Sequence, residues 1–124
     1  MAVRASVSVA PVDVLARAST WAGLTQATAD TGAAVSVADA IDIMVMIVSG
    51  TLGAAGAITW EGSIDAAIWF PLTSKIGVPV AVVQTALLVP TMVQERPVFV
   101  RPRVSAGDGT TSLLATVCVK RPIA

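Results

Sequence analysis

The chain has 124 residues, of which 55% are hydrophobic and 13% are charged, and its formal net charge at pH 7 is zero. This length and apolar content exclude a disordered chain and indicate one domain with a buried core. A net charge of zero does not indicate the basic surface that nucleic-acid binding requires. The low charged fraction indicates that a partner covers part of the protein surface.

Several classes of function lack the residues that they need. The chain has one cysteine, Cys118, and no histidine, so no internal disulfide and no histidine-based metal site or catalytic triad is expected. The carboxylates of Glu61 and Asp65 flank one predicted turn, which favours a turn role over glycoside hydrolysis. We therefore expect a protein that is not an enzyme and that has no cofactor and no small-molecule substrate.

No membrane span is expected either. Two apolar stretches, 41–59 and 78–93, are interrupted by Asp42 and three glycines in the first and by prolines 79 and 90 in the second. Neither provides the roughly 20 clean apolar residues that a spanning helix requires. The alternating Ser and Val residues after Arg4 do not resemble a signal peptide, so export by that route is not expected.

Residues 1–30 are rich in Ala, Ser, Thr and Val and show no sustained periodicity. We interpret them as an N-terminal arm, extended or partly helical, of which residues 1 to about 20 become ordered only against a neighbouring subunit. Val7 and Val9 are its candidate contact residues, and Trp21 is a candidate interface anchor if its side chain is exposed. Deletion of the arm is expected to leave the remaining domain folded.

From residue 31 onward the pattern predicts strands separated by turns. A short strand at 33–37 leads to the segment 41–49, whose continuous apolar run 43–48 is typical of a central strand covered on both faces. Three glycines in 50–56 indicate a flexible connection between strands. Segments 57–63 and 68–72 then read as a hairpin around a tight turn.

Residues 80–89 admit two interpretations. The segment is apolar and begins with β-branched residues, which favours a strand. A buried helix that starts at Pro79 and is stopped by Pro90 is the alternative. The strand is preferred and the helix stays open.

A late strand alternates between two faces. Val98, Val100 and Val104 share one face, and Phe99, Arg101 and Arg103 share the other. Because Pro97 and Pro102 remove two backbone donors, this strand should lie at an edge or carry a bulge. Segment 105–110 has the glycines and Asp of a hairpin turn, and 113–120 closes the domain.

Short strands at regular spacing with glycine-rich connections predict an all-β fold. We expect a single antiparallel β-sandwich or jelly-roll-like domain over residues 31–124, preceded by the extended arm at 1–30.

Five segments of the chain follow one another in a recognisable order: 43–52, 59–65, 69–72, 96–102 and 105–107. Together they resemble small structural proteins encoded among the virion genes of tailed bacteriophages and prophages. In that family an apolar strand ending in a Gly-Thr-Leu-like turn precedes a Glu-Ser-Asp-Gly…Trp hairpin and a late Arg-Tyr-Val-Arg strand. Ala66 stands where the family pattern has glycine, Phe99 stands where it has tyrosine, and 78–94 is unmatched.

The resemblance implies a head decoration or cement subunit on the capsid exterior, assembled in the host cytoplasm. Its partners would be the major capsid protein and copies of itself, with a trimer as the preferred number. A tail or neck accessory protein and a carbohydrate-binding β-sandwich module for host attachment are the alternatives. The candidate protein-contact residues are Val7, Val9, Trp21, Phe99, Arg101 and Arg103.

Overall fold

Ten β-strands make up the ordered architecture in the computed structural model, which describes residues 7–13, 16–25, 31–75 and 80–120. Within these ranges there is no helix. The strands are β1 (Val7–Asp13), β2 (Ala16–Thr25), β3 (Val35–Ser36), β4 (Asp42–Thr51), β5 (Ala57–Ser63), β6 (Phe70–Pro71), β7 (Val83–Gln84), β8 (Thr91–Met92), β9 (Phe99–Ala106) and β10 (Ser112–Lys120).

The strands form two antiparallel sheets that pack face to face, which confirms the predicted β-sandwich. The first sheet has the order β1-β2-β10-β4-β8, and the second has the order β3-β9-β5-β6 with β7 also paired to β5. The chain crosses repeatedly between the sheets, so most strand pairs join residues that are distant in sequence.

The core lies between the inward faces of the two sheets. Because successive side chains of a strand point to opposite faces, β4 buries Ile43, Val45 and Ile47 and leaves the residues between them half-buried. The prediction that this run is covered on both faces is therefore wrong. At the centre of the core, the rings of Trp21 and Trp60 meet edge to face, with centroids 5.7 Å apart.

The N-terminal boundary of the sandwich also differs from the prediction. Backbone of β1 and β2 is extended as expected, but β2 lies inside the first sheet, paired with β1 on one side and β10 on the other. Trp21 and Leu24 of β2 are fully buried. The prediction of an arm outside the sandwich is therefore wrong for Ala16–Thr25. The local sequence does not show that this segment pairs with β10, which lies about 90 residues further along the chain.

Segment 80–89 forms neither a full strand nor a helix. Its only strand is the two-residue β7, and the rest is irregular. Its single deeply buried polar side chain belongs to Gln84, which is 5% exposed. The strand interpretation is therefore wrong apart from β7, and the helix alternative is wrong over 80–89.

The hairpin β5–β6 is confirmed, whereas segment 105–110 is not a hairpin turn. β9 and β10 belong to different sheets, so residues 107–111 cross from one sheet to the other. β9 carries the expected bulge, since Ala57 pairs with Ala106 while Ile58 pairs with Val104. It is not an edge strand, because β3 pairs with it on its other side.

Candidate protein-contact surface

Exposed apolar side chains are concentrated on one side of the sandwich. Two segments carry them, the turn 64–68 between β5 and β6 and the irregular segment 80–89. Both segments adjoin the side of β5 that faces away from β9, where the second sheet ends in β6 and β7. We call this set the apolar edge; its members are Ile64, Ile68, Val80, Val83, Leu87, Leu88 and Val89.

The turn presents its two isoleucines on a rigid frame. The Asp65 carboxylate accepts hydrogen bonds from the backbone N–H groups of Ala67 and Ile68, both at 2.9 Å, and from the Ser63 hydroxyl at 3.0 Å. These hydrogen bonds lower the pKa of Asp65. The bonds from Ile68 and Ala67 have the larger effects, and the bond from Ser63 comes next. Ile64 and Ile68 are each 75% exposed, so a well-fixed loop projects two large apolar side chains into solvent.

A shallow cavity of about 200 Å³ lies between these isoleucines and the body of the domain. Ile64, Asp65, Ile68 and Phe70 line it, and Phe70 also packs against the core. The cavity is therefore an apolar recess with one carboxylate at its wall. A partner side chain that fills it would contact the isoleucines without first having to order the loop.

Next to the turn, the outer face of the second sheet carries a charged cluster. The Glu61 carboxylate accepts from Arg101 Nε at 2.9 Å and from Arg103 Nε at 3.1 Å. The Arg101 guanidinium also lies 4.0 Å from the centre of the Trp69 ring, a cation–π contact. One carboxylate shared by two guanidinium groups leaves a local excess of one positive charge beside the apolar edge.

Segment 80–89 is fixed to both sheets although it is largely exposed. The buried Gln84 side chain accepts from Trp60 Nε1 of β5 at 2.7 Å and donates to the Val45 carbonyl of β4 at 3.0 Å. The Leu88 N–H donates to the Ile47 carbonyl at 2.8 Å. These contacts hold the exposed apolar side chains of this segment in place.

The structure brings together three of the residues predicted from sequence to contact a partner. Phe99, Arg101 and Arg103 share the outer face of β9, and all three are partly exposed, as the alternation predicts. Trp21 is 0% exposed and is unavailable to a partner, so that prediction is wrong. The backbone of Val7 and Val9 pairs with β2, while their side chains lie outside the described set.

Sequence reasoning missed the apolar edge itself. The pattern places Ile64 in a turn and Ile68 in the following strand, and it predicts a strand for 80–89, with a buried helix as the alternative. The available signal was the position of two isoleucines on either side of Asp65 in a predicted turn, since turns lie on the surface.

Three negative observations apply to the described ranges. No group of three or more His, Cys, Asp or Glu side chains there is placed to hold a metal ion. Likewise, no helix in those ranges is long and apolar enough to cross a membrane. Comparison of the chain with protein families, with characterised proteins and with solved structures finds no match.

Proposed function

We propose that this chain is a non-enzymatic virion structural protein, a decoration or cement subunit that binds the outside of a coat-protein shell. The observation that carries the proposal is the apolar edge, where all the strongly exposed large hydrophobic side chains of the described residues adjoin one sheet edge. Large exposed apolar side chains gathered in two segments along one sheet edge are typical of a surface that another protein covers.

The neighbouring chemistry supports a protein partner. Interface centres are enriched in aromatic residues and arginine and depleted in other charges, with polar groups at the rim. Here the Trp69–Arg101 contact and the Glu61 carboxylate lie beside the apolar turn. The coat-protein surface that fits would present apolar side chains to Ile64 and Ile68 and a carboxylate toward the arginines.

A carbohydrate-binding module receives less support. Sugar recognition by such a module would require an exposed aromatic platform. Trp21 and Trp60 are fully buried, and the Arg101 guanidinium lies over the ring of the half-buried Trp69. The tryptophans therefore serve packing and an arginine contact, which weighs against sugar binding and in favour of a protein contact.

The test is whether particles contain the protein and where. Particles purified from cells that carry the gene are expected to contain the chain at a fixed ratio to coat protein by quantitative mass spectrometry. Electron cryomicroscopy should then place it on the capsid exterior; density at the tail or neck would support the tail or neck alternative instead. Absence of the chain from purified particles would overturn the proposal.

The contact surface is tested by a double variant, Ile64→Ser with Ile68→Ser. Because both side chains are 75% exposed, stability should change by no more than about 0.5 kcal/mol per site while particle occupancy falls. Leu114→Ser, on the outer face of the first sheet, is the control and should retain occupancy. Equal occupancy of the double variant and the wild type would show that the apolar edge is not the contact.

Self-association belongs to the same proposal. Copies of one chain tend to assemble with closed symmetry, and a trimer is the expected number. Light scattering of the purified protein should give three times the 12.6 kDa chain mass at raised concentration. A strictly monomeric species at millimolar concentration would remove self-association from the proposal and leave shell binding to the particle experiment.

A further inference from the structure

Sulfur-bearing side chains are gathered on one surface of the protein. Of the residues that the structure describes, Met44, Met46, Met92 and Cys118 are those that carry sulfur, and all four lie on the outer face of the first sheet. The inward positions of β4 and β10 are taken by the aliphatic residues that alternate with them. This surface is on the opposite side of the sandwich from the Arg101–Glu61 cluster.

Three of the four sulfur residues form a single row across neighbouring strands. Met44 of β4 is paired directly with Cys118 of β10 on one side and with Met92 of β8 on the other. Side chains that are directly opposite in antiparallel strands have Cβ atoms about 4.5–5.5 Å apart, within reach of one common ion for flexible thioethers. The row therefore places three sulfur-bearing side chains from three strands next to one another.

The same three side chains line one cavity. A shallow cavity of about 290 Å³ is lined by these three residues. The rest of its lining is Ala16, Asp42, Val119 and Lys120. Cys118 is a free and partly exposed thiol. The cavity is open to an incoming ion, and three of its seven lining residues carry sulfur.

We propose that this cavity binds a soft monovalent metal ion, Cu(I), between the thiolate of Cys118 and the thioethers of Met44 and Met92. Thiolate and thioether ligands favour Cu(I), whereas harder cations such as Mg²⁺ and Ca²⁺ need several oxygen ligands; Asp42 is the one carboxylate in the cavity wall, and it is paired with Lys75 at 3.2 Å. On binding, Cu(I) replaces the thiol proton of Cys118, and the proton passes to solvent. No electron is transferred, so the step needs no oxidant or reductant.

A methionine-rich face can also serve as an adaptable apolar contact for another protein. Met46 distinguishes the two roles. It lies on the same strand and the same face, two residues from Met44, but it does not line the cavity. A general apolar surface would use Met46 as much as Met44, whereas the proposed metal site uses Met44 and does not use Met46.

The experiment is an anaerobic titration of the full chain with Cu(I) in the presence of bathocuproine disulfonate, a coloured competing chelator. We expect the protein to withdraw one equivalent per chain. Met44→Leu and Met92→Leu should each weaken binding by about tenfold or more, and Cys118→Ser should weaken it further. Met46→Leu is the matched control and should bind as the wild type does.

The variants should stay folded, because Met-to-Leu exchange conserves volume and costs less than about 1.5 kcal/mol, which thermal melting checks. Copper-edge X-ray absorption should report sulfur ligands only, with fewer in Met44→Leu. No competition with the chelator overturns the proposal. Wild-type affinity in both Met44→Leu and Met92→Leu also overturns it, because a thiol alone would then be the ligand. Half an equivalent per chain likewise overturns it, because two chains would then share the ion.

Discussion

Gln84 joins the two sheets, and replacing it with methionine tests that role. The exchange nearly conserves side-chain length and volume but removes the amide. The Trp60 indole N–H then loses its acceptor, and the Val45 carbonyl loses one donor although Val45 is also paired with Thr91 of β8; both residues are 0% exposed. Val89 and Thr91, which accept from the same amide at 2.8 and 3.3 Å, lie closer to solvent and can be rehydrated.

The expected cost follows mainly from the indole N–H. Leaving one buried polar group unsatisfied costs about 1–3 kcal/mol. We expect a net loss of about 1–3 kcal/mol, a substantial fraction of the roughly 5–15 kcal/mol typical of a folded domain.

Urea unfolding followed by tryptophan fluorescence measures this loss. Gln94→Met is the control, because Gln94 is exposed, and its change should stay within about 0.5 kcal/mol. In a double-mutant cycle with Trp60→Phe, which removes the indole N–H, the coupling should reach about 0.5–3 kcal/mol. If Gln84→Met costs no more than Gln94→Met, the amide does not hold the sheets together and the reasoning fails.

Four further predictions follow from single features. Ala66 has φ of 62° in the β5–β6 turn, so Ala66→Gly should stabilise the protein by up to about 1 kcal/mol in urea unfolding. Hydrogen bonds from the Thr110 hydroxyl and from backbone N–H groups lower the pKa of Asp108 from 3.8 to about 2. Its contribution to stability is therefore complete above pH 3.8 and lost as the pH falls through about 2, and Asp108→Asn should flatten the fall of melting temperature over that interval. Glu61→Gln should cost about 1–3 kcal/mol in the same urea assay, because two partly buried guanidinium groups lose their counter-charge. A chain that starts at Trp21 lacks β1 and half of β2, so its circular dichroism should show no cooperative melting.

Each of these predictions has a control or a contrary outcome. Ala67→Gly, at the next position without positive φ, should not stabilise, and equal gains at both sites would contradict the turn argument. An unchanged acid dependence in Asp108→Asn would show that other carboxylates govern it. Arg103→Gln should cost less than Glu61→Gln, because the Arg103 side chain is 34% exposed. Cooperative melting of the shortened chain would show that the domain folds without its first 20 residues, as the hypothesis of a separate arm requires.

Local patterns predicted the parts of this fold that depend on local physics. Alternation in 99–104 gave the correct inward and outward faces of β9, because a strand has a side-chain period of two. The turn after Ser63 was also predicted, although Ala66 replaces the glycine that its backbone favours. The backbone N–H groups of Ala66 and Ala67 donate to the Ser63 hydroxyl and the Asp65 carboxylate, and these hydrogen bonds hold the turn without that glycine.

Pairing between segments that are distant in sequence accounts for the wrong predictions about β2 and segment 80–89. β2 reads as an unpatterned segment because its outward positions hold alanines and its inward ones include Ser19, which is 2% exposed. Segment 80–89 reverses the usual relation between polarity and burial, since the polar Gln84 is buried and the apolar Val83 and Leu88 are exposed. Hydrophobicity alone cannot predict a side chain whose burial is decided by hydrogen bonds across two sheets.

The position of β10 between β2 and β4 has a consequence for how the protein is synthesised. The Thr116 hydroxyl donates to the carbonyl of Ser19, 97 positions earlier in the chain. At a ribosomal rate of roughly 5–20 residues per second, β2 and β4 spend several seconds without the strand that joins them. Their edges are then open to wrong partners, and such distant pairing also folds slowly. Yield of soluble protein should therefore depend on growth temperature and on chaperone supply more than the stability of the finished sandwich would suggest.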